Sequence, residues 1–172
     1  MQNIAVVYYS GYGHTKLVAE KVAQGAHADL ISIDNEGNIT EQEWEKLDAA
    51  DAIIFGAPTY MGGAPWQFKK FADASSKAWF TRKWQDKVFG GFTNSASLNG
   101  DKQVTLIYLQ TLASQHGGLW VSLGQAPAQC ACVNQGRCKQ SGRFSRFAGA
   151  ISSRCGCRPN PYGRSGYSRE IW

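Results

Sequence analysis

Three short stretches carry the side chains able to do chemistry: Ser10-Gly11-Tyr12-Gly13-His14-Thr15, Pro58-Thr59-Tyr60-Met61-Gly62-Gly63 and Thr93-Asn94-Ser95-Ala96-Ser97-Leu98-Asn99-Gly100. In the first, glycines let the backbone curl closely around a bound group, while Ser10, His14 and Thr15 add side-chain donors. It joins the apolar run Ile4-Ala5-Val6-Val7 to a helix-like stretch from Lys16 to Ala26. A helix start offers unpaired amides and a partial positive charge, so the junction predicts an anion cradle. It matches neither G-x-x-x-x-G-K-[ST] nor G-x-G-x-x-G. Hydroxyls and amides with no lysine in the loop suit a phosphate monoester that is held rather than transferred. The plainer alternative is a strand-to-helix turn built from small residues.

The three stretches contain no acid–base pair, no nucleophile beside a base and no metal-ligand cluster. Amides, hydroxyls and aromatics without catalytic acids predict that a cofactor carries the reaction.

The positioning elements alternate strand with helix. Asn3 to Tyr9 reads as a buried strand, and Lys16 to Ala26 as a helix with Leu17, Val18, Val22 and Ala26 on one side. Leu30 to Ile33 is a second strand. Thr40 and Glu43 form a capping box that starts a helix with Trp44 and Leu47 facing inward. Ala52 to Gly56 is apolar enough for a strand buried on both faces. Pro65 suits the first turn of the next helix, with Trp66, Phe68, Phe71 and Ala72 as core contacts. Val88 to Phe92 is a fourth strand, Asp101 caps a long helix ended by Gly117-Gly118, and Leu119 to Leu123 is a fifth strand. Five strands with intervening helices predict a doubly wound parallel α/β sheet. In such sheets ligands bind beyond the carboxyl ends of the strands, where all three loops fall.

At these residues the sequence resembles the flavodoxin superfamily, and within it the WrbA-type NAD(P)H:quinone oxidoreductases. The likeness runs from Asn3 to about Pro127. It rests on Tyr8 to Thr15, on Ile53-Ile54-Phe55-Gly56-Ala57-Pro58-Thr59-Tyr60 and on Leu112-Ala113-Ser114-Gln115-His116-Gly117. The resemblance implies a flavodoxin-like fold, strand order 2-1-3-4-5, with FMN as cofactor and hydride transfer from NAD(P)H through the flavin to a quinone. By position, Ser10, Gly11, Tyr12, Gly13, His14 and Thr15 would hold the FMN phosphate. Pro58, Thr59, Tyr60, Met61 and Gly62 would border the isoalloxazine ring, with Thr93, Asn94, Ser95, Ala96 and Ser97 on its other edge. The resemblance places His116 at the flavin pocket, Tyr12 near the nicotinamide and Trp79 beside the substrate; core packing is the structural alternative for the aromatics, and a helix C-terminus for His116. It also implies a homo-oligomer, dimer or tetramer. The loop from Thr93 is poorer in Thr and Gly than the family's usual one, which keeps a flavodoxin-type electron carrier and a flavin reductase as alternatives.

One domain fits the length of 172 residues. No stretch approaches the ~18 apolar residues of a membrane span, and the N-terminus lacks a signal-peptide pattern, so a cytoplasmic protein is expected. The net charge of +5 conceals an asymmetry: residues 1–102 hold 10 Lys+Arg and 12 Asp+Glu, whereas residues 103–172 hold 8 and 1. The acidic front argues against a nucleic-acid-binding function, although Arg143, Phe144, Arg146 and Phe147 interleave charge and aromatics. All five cysteines (Cys130, Cys132, Cys138, Cys155, Cys157) lie in the basic part, without the C-x-x-C spacing of a thiolate metal site. The expected division is therefore a flavodoxin-like domain over 1–127 and an atypical tail over 128–172. Codons permitted for Arg137 to Phe144, read one base later, spell Asp-Val-Asn-Asn-Leu-Gly-Gly-Phe, which resembles this family after its fifth strand. The tail thus reads as a one-base frameshift near Ala128, with the final helix missing or altered.

Overall fold

The computed structural model describes residues 3–97 and 101–122. The apolar runs form β1 (Ile4–Tyr8), β2 (Asp29–Ser32), β3 (Ala52–Pro58), β4 (Val88–Asn94) and β5 (Leu119–Trp120). They build one parallel sheet in the order β2-β1-β3-β4-β5, the flavodoxin-like arrangement. Between them lie α1 (His14–Ala26), α2 (Glu41–Ala49), α3 (Trp66–Ala74), α4 (Ser76–Phe80) and α5 (Lys102–Gln115). The fold follows from short connections: a helix linking two parallel strands must run back against them, so strand carboxyl ends and helix N-termini share one edge.

One face of the sheet is thick with aromatics. Phe55 and Phe89, with ring centroids 5.3 Å apart, pack with Leu47, Phe68, Phe71, Trp84 and Leu109. Trp44 stacks on Phe71 at 5.1 Å, on a helix begun by the expected capping box: Thr40 N donates to Glu43 Oε2 at 2.7 Å and Glu43 N to Thr40 Oγ1 at 3.3 Å. The opposite face is thinner: Ala19, Val22 and Ala23 of α1 lie on Val6, Tyr8 and Phe92. Gly56 permits this, because a Cβ there would come within 2.4 Å of the Phe92 ring.

Two expected core residues point outward. Leu17 is 62% exposed because α1 buries Thr15, Ala19, Val22 and Ala23 instead, a stripe of small residues that lets the helix lie close. Trp66 is 58% exposed because the buried stripe of α3 is Phe68, Phe71 and Ala72, on the opposite side of the helix. On the α1 side, Val88, Leu119 and Val121 of the β4–β5 half are exposed, and among the described residues no helix covers them. The frameshift, the five cysteines and the altered final helix all fall in 123–172, outside the described residues.

Candidate functional site at the carboxyl edge of the sheet

The first loop turns at Gly13, whose φ of 83° lies in the left-handed region that a side chain resists, and a Cβ there would meet open space. The N-cap residue Gly13 has no side chain to cap α1, and no acidic residue occupies the helix's first turn. The positive end of this helix is therefore left facing the loop. Ser10 Oγ accepts from Lys16 N at 3.1 Å, drawing the loop across the helix start. His14 and Thr15 belong to the helix itself, which begins two residues before the expected Lys16.

Buried hydroxyls join the three loops. Thr15 Oγ1 donates to Asn94 Oδ1 at 2.7 Å, and Thr59 N donates to Asn94 O at 2.8 Å. Thr59 Oγ1 lies 2.8 Å from both Thr93 Oγ1 and Thr105 Oγ1. A hydroxyl has one proton to donate and two lone pairs, so one threonine can link two others without an unpaired polar atom. Thr93 and Asn94 are the last residues of β4 rather than loop, which fixes their positions through the ladder to Ala57 and Pro58. Thr105 was not among the expected site residues. Its helical setting hides it from any loop-based reading; only its i+3 spacing from Lys102 hints that it shares that residue's face.

The middle loop closes as a tight turn in which Tyr60 N and Gly63 N each donate to the other residue's carbonyl, at 2.9 and 3.1 Å. Met61 (φ 47°) and Gly62 (φ 84°) are both left-handed, and the Met61 side chain stands fully in solvent. Holding a methionine there costs about 1–2 kcal/mol, strain of the kind that collects at functional sites. Tyr12, also exposed, meets Tyr60 edge-on at 5.8 Å. Burial, then the neighbouring Tyr9 and Tyr12, push the Tyr60 phenol above its usual range. Burial, then Tyr12, does the same for Tyr9. Both remain protonated hydroxyls at neutral pH and act as donors. With Trp66 at the adjoining start of α3, Tyr12 and Met61 make an exposed apolar rim.

Lys102, absent from the expected set, is 4% exposed at the start of α5. Its Nζ donates to Ser95 Oγ at 2.9 Å and to Ser97 O at 2.7 Å. Asp101 holds the N-cap position, but its side chain makes no cap bond. Residues 98–100 of this loop lie outside the described residues.

Two of the expected residues lie away from the three loops of this chain. His116 follows the end of α5, roughly 20 Å along the helix axis from Lys102 and at the amino edge of the sheet. There its Nε2 lies 2.9 Å from Ser75 Oγ, and its ring packs on Trp84 at 4.4 Å. Because Ser75 Oγ donates its proton to Ala72 O at 2.6 Å, His116 must donate from Nε2. Its Nδ1 is then a bare acceptor with no partner among the described residues. Burial pulls its pKa down to about 4, so the imidazole is neutral. Helix direction explains the separation: the end of a crossover helix lies opposite the strand carboxyl ends. Trp79 is on α4, where its amide donates to Ser75 O and its ring is half exposed, also away from the three loops of this chain. The loop residues themselves, Ser10 to Thr15, Pro58 to Gly62 and Thr93 to Ser97, converge on one edge.

A flavodoxin domain model matches residues 5–153, past residue 127, where the likeness expected from the sequence stops. The chain is 67% identical over 135 residues to flavodoxin FldP of Pseudomonas aeruginosa, covering 78% of this chain and 73% of that protein. It is 32% identical over 146 residues to an NAD(P)H dehydrogenase (quinone) of Solidesulfovibrio magneticus, covering 70% and 71%. Among solved structures, a WrbA-like flavodoxin from Agrobacterium tumefaciens superposes with a TM-score of 0.71 and 73% identity, over 72% of this chain and 79% of that one.

Proposed function

The chain belongs to the flavodoxin family, and from that premise we propose that it is a cytoplasmic electron carrier holding FMN across the carboxyl edge of its sheet. The observation that carries this reading is the convergence of three loops through Thr15, Thr59, Thr93 and Asn94, beside a helix start with a glycine at its N-cap and no acid in its first turn. The donor set fits the group. Gly13 leaves room against the α1 amides for a phosphate, and the Tyr60 turn and the end of β4 offer two walls for a flat ring. FMN, when bound, supplies reversible uptake of two electrons.

The protein's part is to bind and orient. Ser10 to Thr15 take the phosphate, Pro58 to Gly62 and Thr93 to Ser97 border the ring, and Tyr12 covers it. Among the described residues the buried polar groups joining the three loops are threonine hydroxyls and an asparagine amide, and the one buried histidine described lies at the other edge. That is the pattern of a carrier, and it agrees with the higher identity to a protein named flavodoxin than to the quinone dehydrogenases. On this reading residues 1–127 hold the cofactor machinery, and 128–172 are the atypical basic tail, of which the family match takes in residues up to 153.

A second reading, NAD(P)H:quinone oxidoreductase, is favoured by the exposed rim of Tyr12, Met61 and Trp66, which suits a planar nicotinamide or quinone ring. The FMN-loaded protein separates the two. A carrier reduces benzoquinone with NADPH only when a separate reductase is added; turnover without one, saturating in both substrates, would establish the oxidoreductase.

A further inference from the structure

We propose that Lys102 is the charge of the cofactor pocket: held on Ser95 and Ser97, its ammonium stabilises the negative charge that reduction leaves on the flavin. The inference rests on the FMN reading above. A lysine is a costly choice at this position. It sits in the first turn of α5, where the helix already presents positive charge, and it is almost fully removed from water, where an ammonium loses much of its hydration. A solvated lysine would face neither cost, so the site must hold this one in place.

The means are visible. Two charge-assisted bonds, Nζ to Ser95 Oγ at 2.9 Å and Nζ to Ser97 O at 2.7 Å, bind the ammonium to the segment expected to border the ring. Ser95 directly follows Asn94, whose Oδ1 accepts a hydrogen bond from Thr15 Oγ1 at 2.7 Å. The cation is therefore tied through one loop to the end of β4 and to the phosphate loop. Thr105, one turn along the same helix, anchors α5 to Thr59. The lysine thus stands on a helix fixed to the site. The adjacent acid, Asp101, is exposed and bonds through its side chain to no amide of the helix start, so water screens it more than it screens Lys102.

A fixed cation near the ring acts on the balance between oxidised and reduced flavin. Oxidised FMN takes two electrons and one proton to give a flavin with one added negative charge, or two electrons and two protons to give a neutral ring. A buried ammonium favours the first outcome, because charges at close range in a partly desolvated site interact several-fold more strongly than in water. Reduced FMN should then bind more tightly, relative to oxidised FMN, than it would without Lys102.

The test compares the unsubstituted protein with Lys102→Met and Lys102→Arg. Oxidised FMN affinity is read by fluorescence quenching, and the reduced-state affinity follows from a dithionite titration against a reference dye. Lys102→Met should lower the ratio of oxidised to reduced dissociation constants by about tenfold, and Lys102→Arg should stay within about twofold. An unchanged ratio in Lys102→Met, or an equal loss in Lys102→Arg, overturns the proposal and leaves Lys102 as a loop staple only. Should Lys102→Met fail to fold, the unsubstituted protein still decides. The pH at which its reduced flavin takes the second proton must lie below that of free FMN, and an equal or higher value overturns the proposal. Absence of saturable FMN binding by the folded, unsubstituted protein overturns the cofactor reading and this proposal together; binding with the wrong ratio overturns this proposal alone.

Discussion

The two edges of the sheet both hold buried polar groups, and they use them differently. At the amino edge those groups serve the fold. Lys87 Nζ donates to Leu47 O at 2.9 Å, Trp84 Nε1 donates to Asp48 Oδ1 at 2.8 Å, and His116 packs between Ser75 and Trp84. At the carboxyl edge the buried groups are backed by each other, while the surface in front of them is kept open. Gly13 faces empty space, Met61 is held in a strained turn, and Tyr12 stands in solvent. On the proposed reading a histidine or tryptophan at the first edge is architecture, whereas a threonine or glycine at the second bears on function. Residue type alone is a poor guide to where the chemistry lies.

The comparison breaks if substitutions at the amino edge change FMN binding by more than they change stability. Trp84→Ala, which empties the site of a fully buried ring, should cost about 3–5 kcal/mol in urea unfolding, with FMN affinity unaltered in the fraction that remains folded. His116 gives a pH signature for the same edge. Burial holds its pKa at about 4 in the fold against 6.5 for an ordinary histidine, so the unfolded chain binds more protons between those values. Stability is therefore fully present above about pH 6.5 and falls as the pH drops towards 4, by roughly 3 kcal/mol in all. His116→Gln should flatten that part of the stability-against-pH curve while leaving the FMN dissociation constant within about twofold.

The carboxyl edge should show the reverse pattern. Thr59→Val keeps the shape but strands the hydroxyls of Thr93 and Thr105, at a cost of about 1–3 kcal/mol in stability. The end of β4 should loosen with it, lowering FMN affinity about tenfold. Gly13→Ala should have the smallest effect on the fold, about 1–2 kcal/mol for a left-handed alanine, because its Cβ meets nothing. The same methyl enters the space assigned to the phosphate, so its effect on FMN binding should be larger than its effect on stability. A Gly13→Ala protein that binds FMN normally would remove the phosphate cradle from the account.

Much of this arrangement is legible in the sequence, for physical reasons. The capping box of Thr40 and Glu43 is a local reciprocal bond, so two residues at fixed spacing suffice to find it. The strands are buried apolar runs, and the three loops are recognised by glycines and hydroxyls at strand ends. Direction was the information not used: the end of α5 must lie opposite the loops, which puts His116 beside Ser75 and Trp84 at the amino edge of this chain. Lys102 and Thr105 are missed for a different reason. Their importance comes from Ser95, Ser97 and Thr59 folding against them, which are tertiary contacts that no local pattern encodes. Trp66 and Leu17 show the converse, large apolar residues that a periodicity counts as core but that lie off the buried stripe of their helices.

The difference between the edges reduces to one measurement, a titration of the folded protein with FMN followed by quenching of flavin fluorescence. Saturable binding of one FMN per chain, weakened by Gly13→Ala and insensitive to His116→Gln, is the predicted result. No saturable binding in folded protein, or binding lost with His116→Gln and retained with Gly13→Ala, would contradict it.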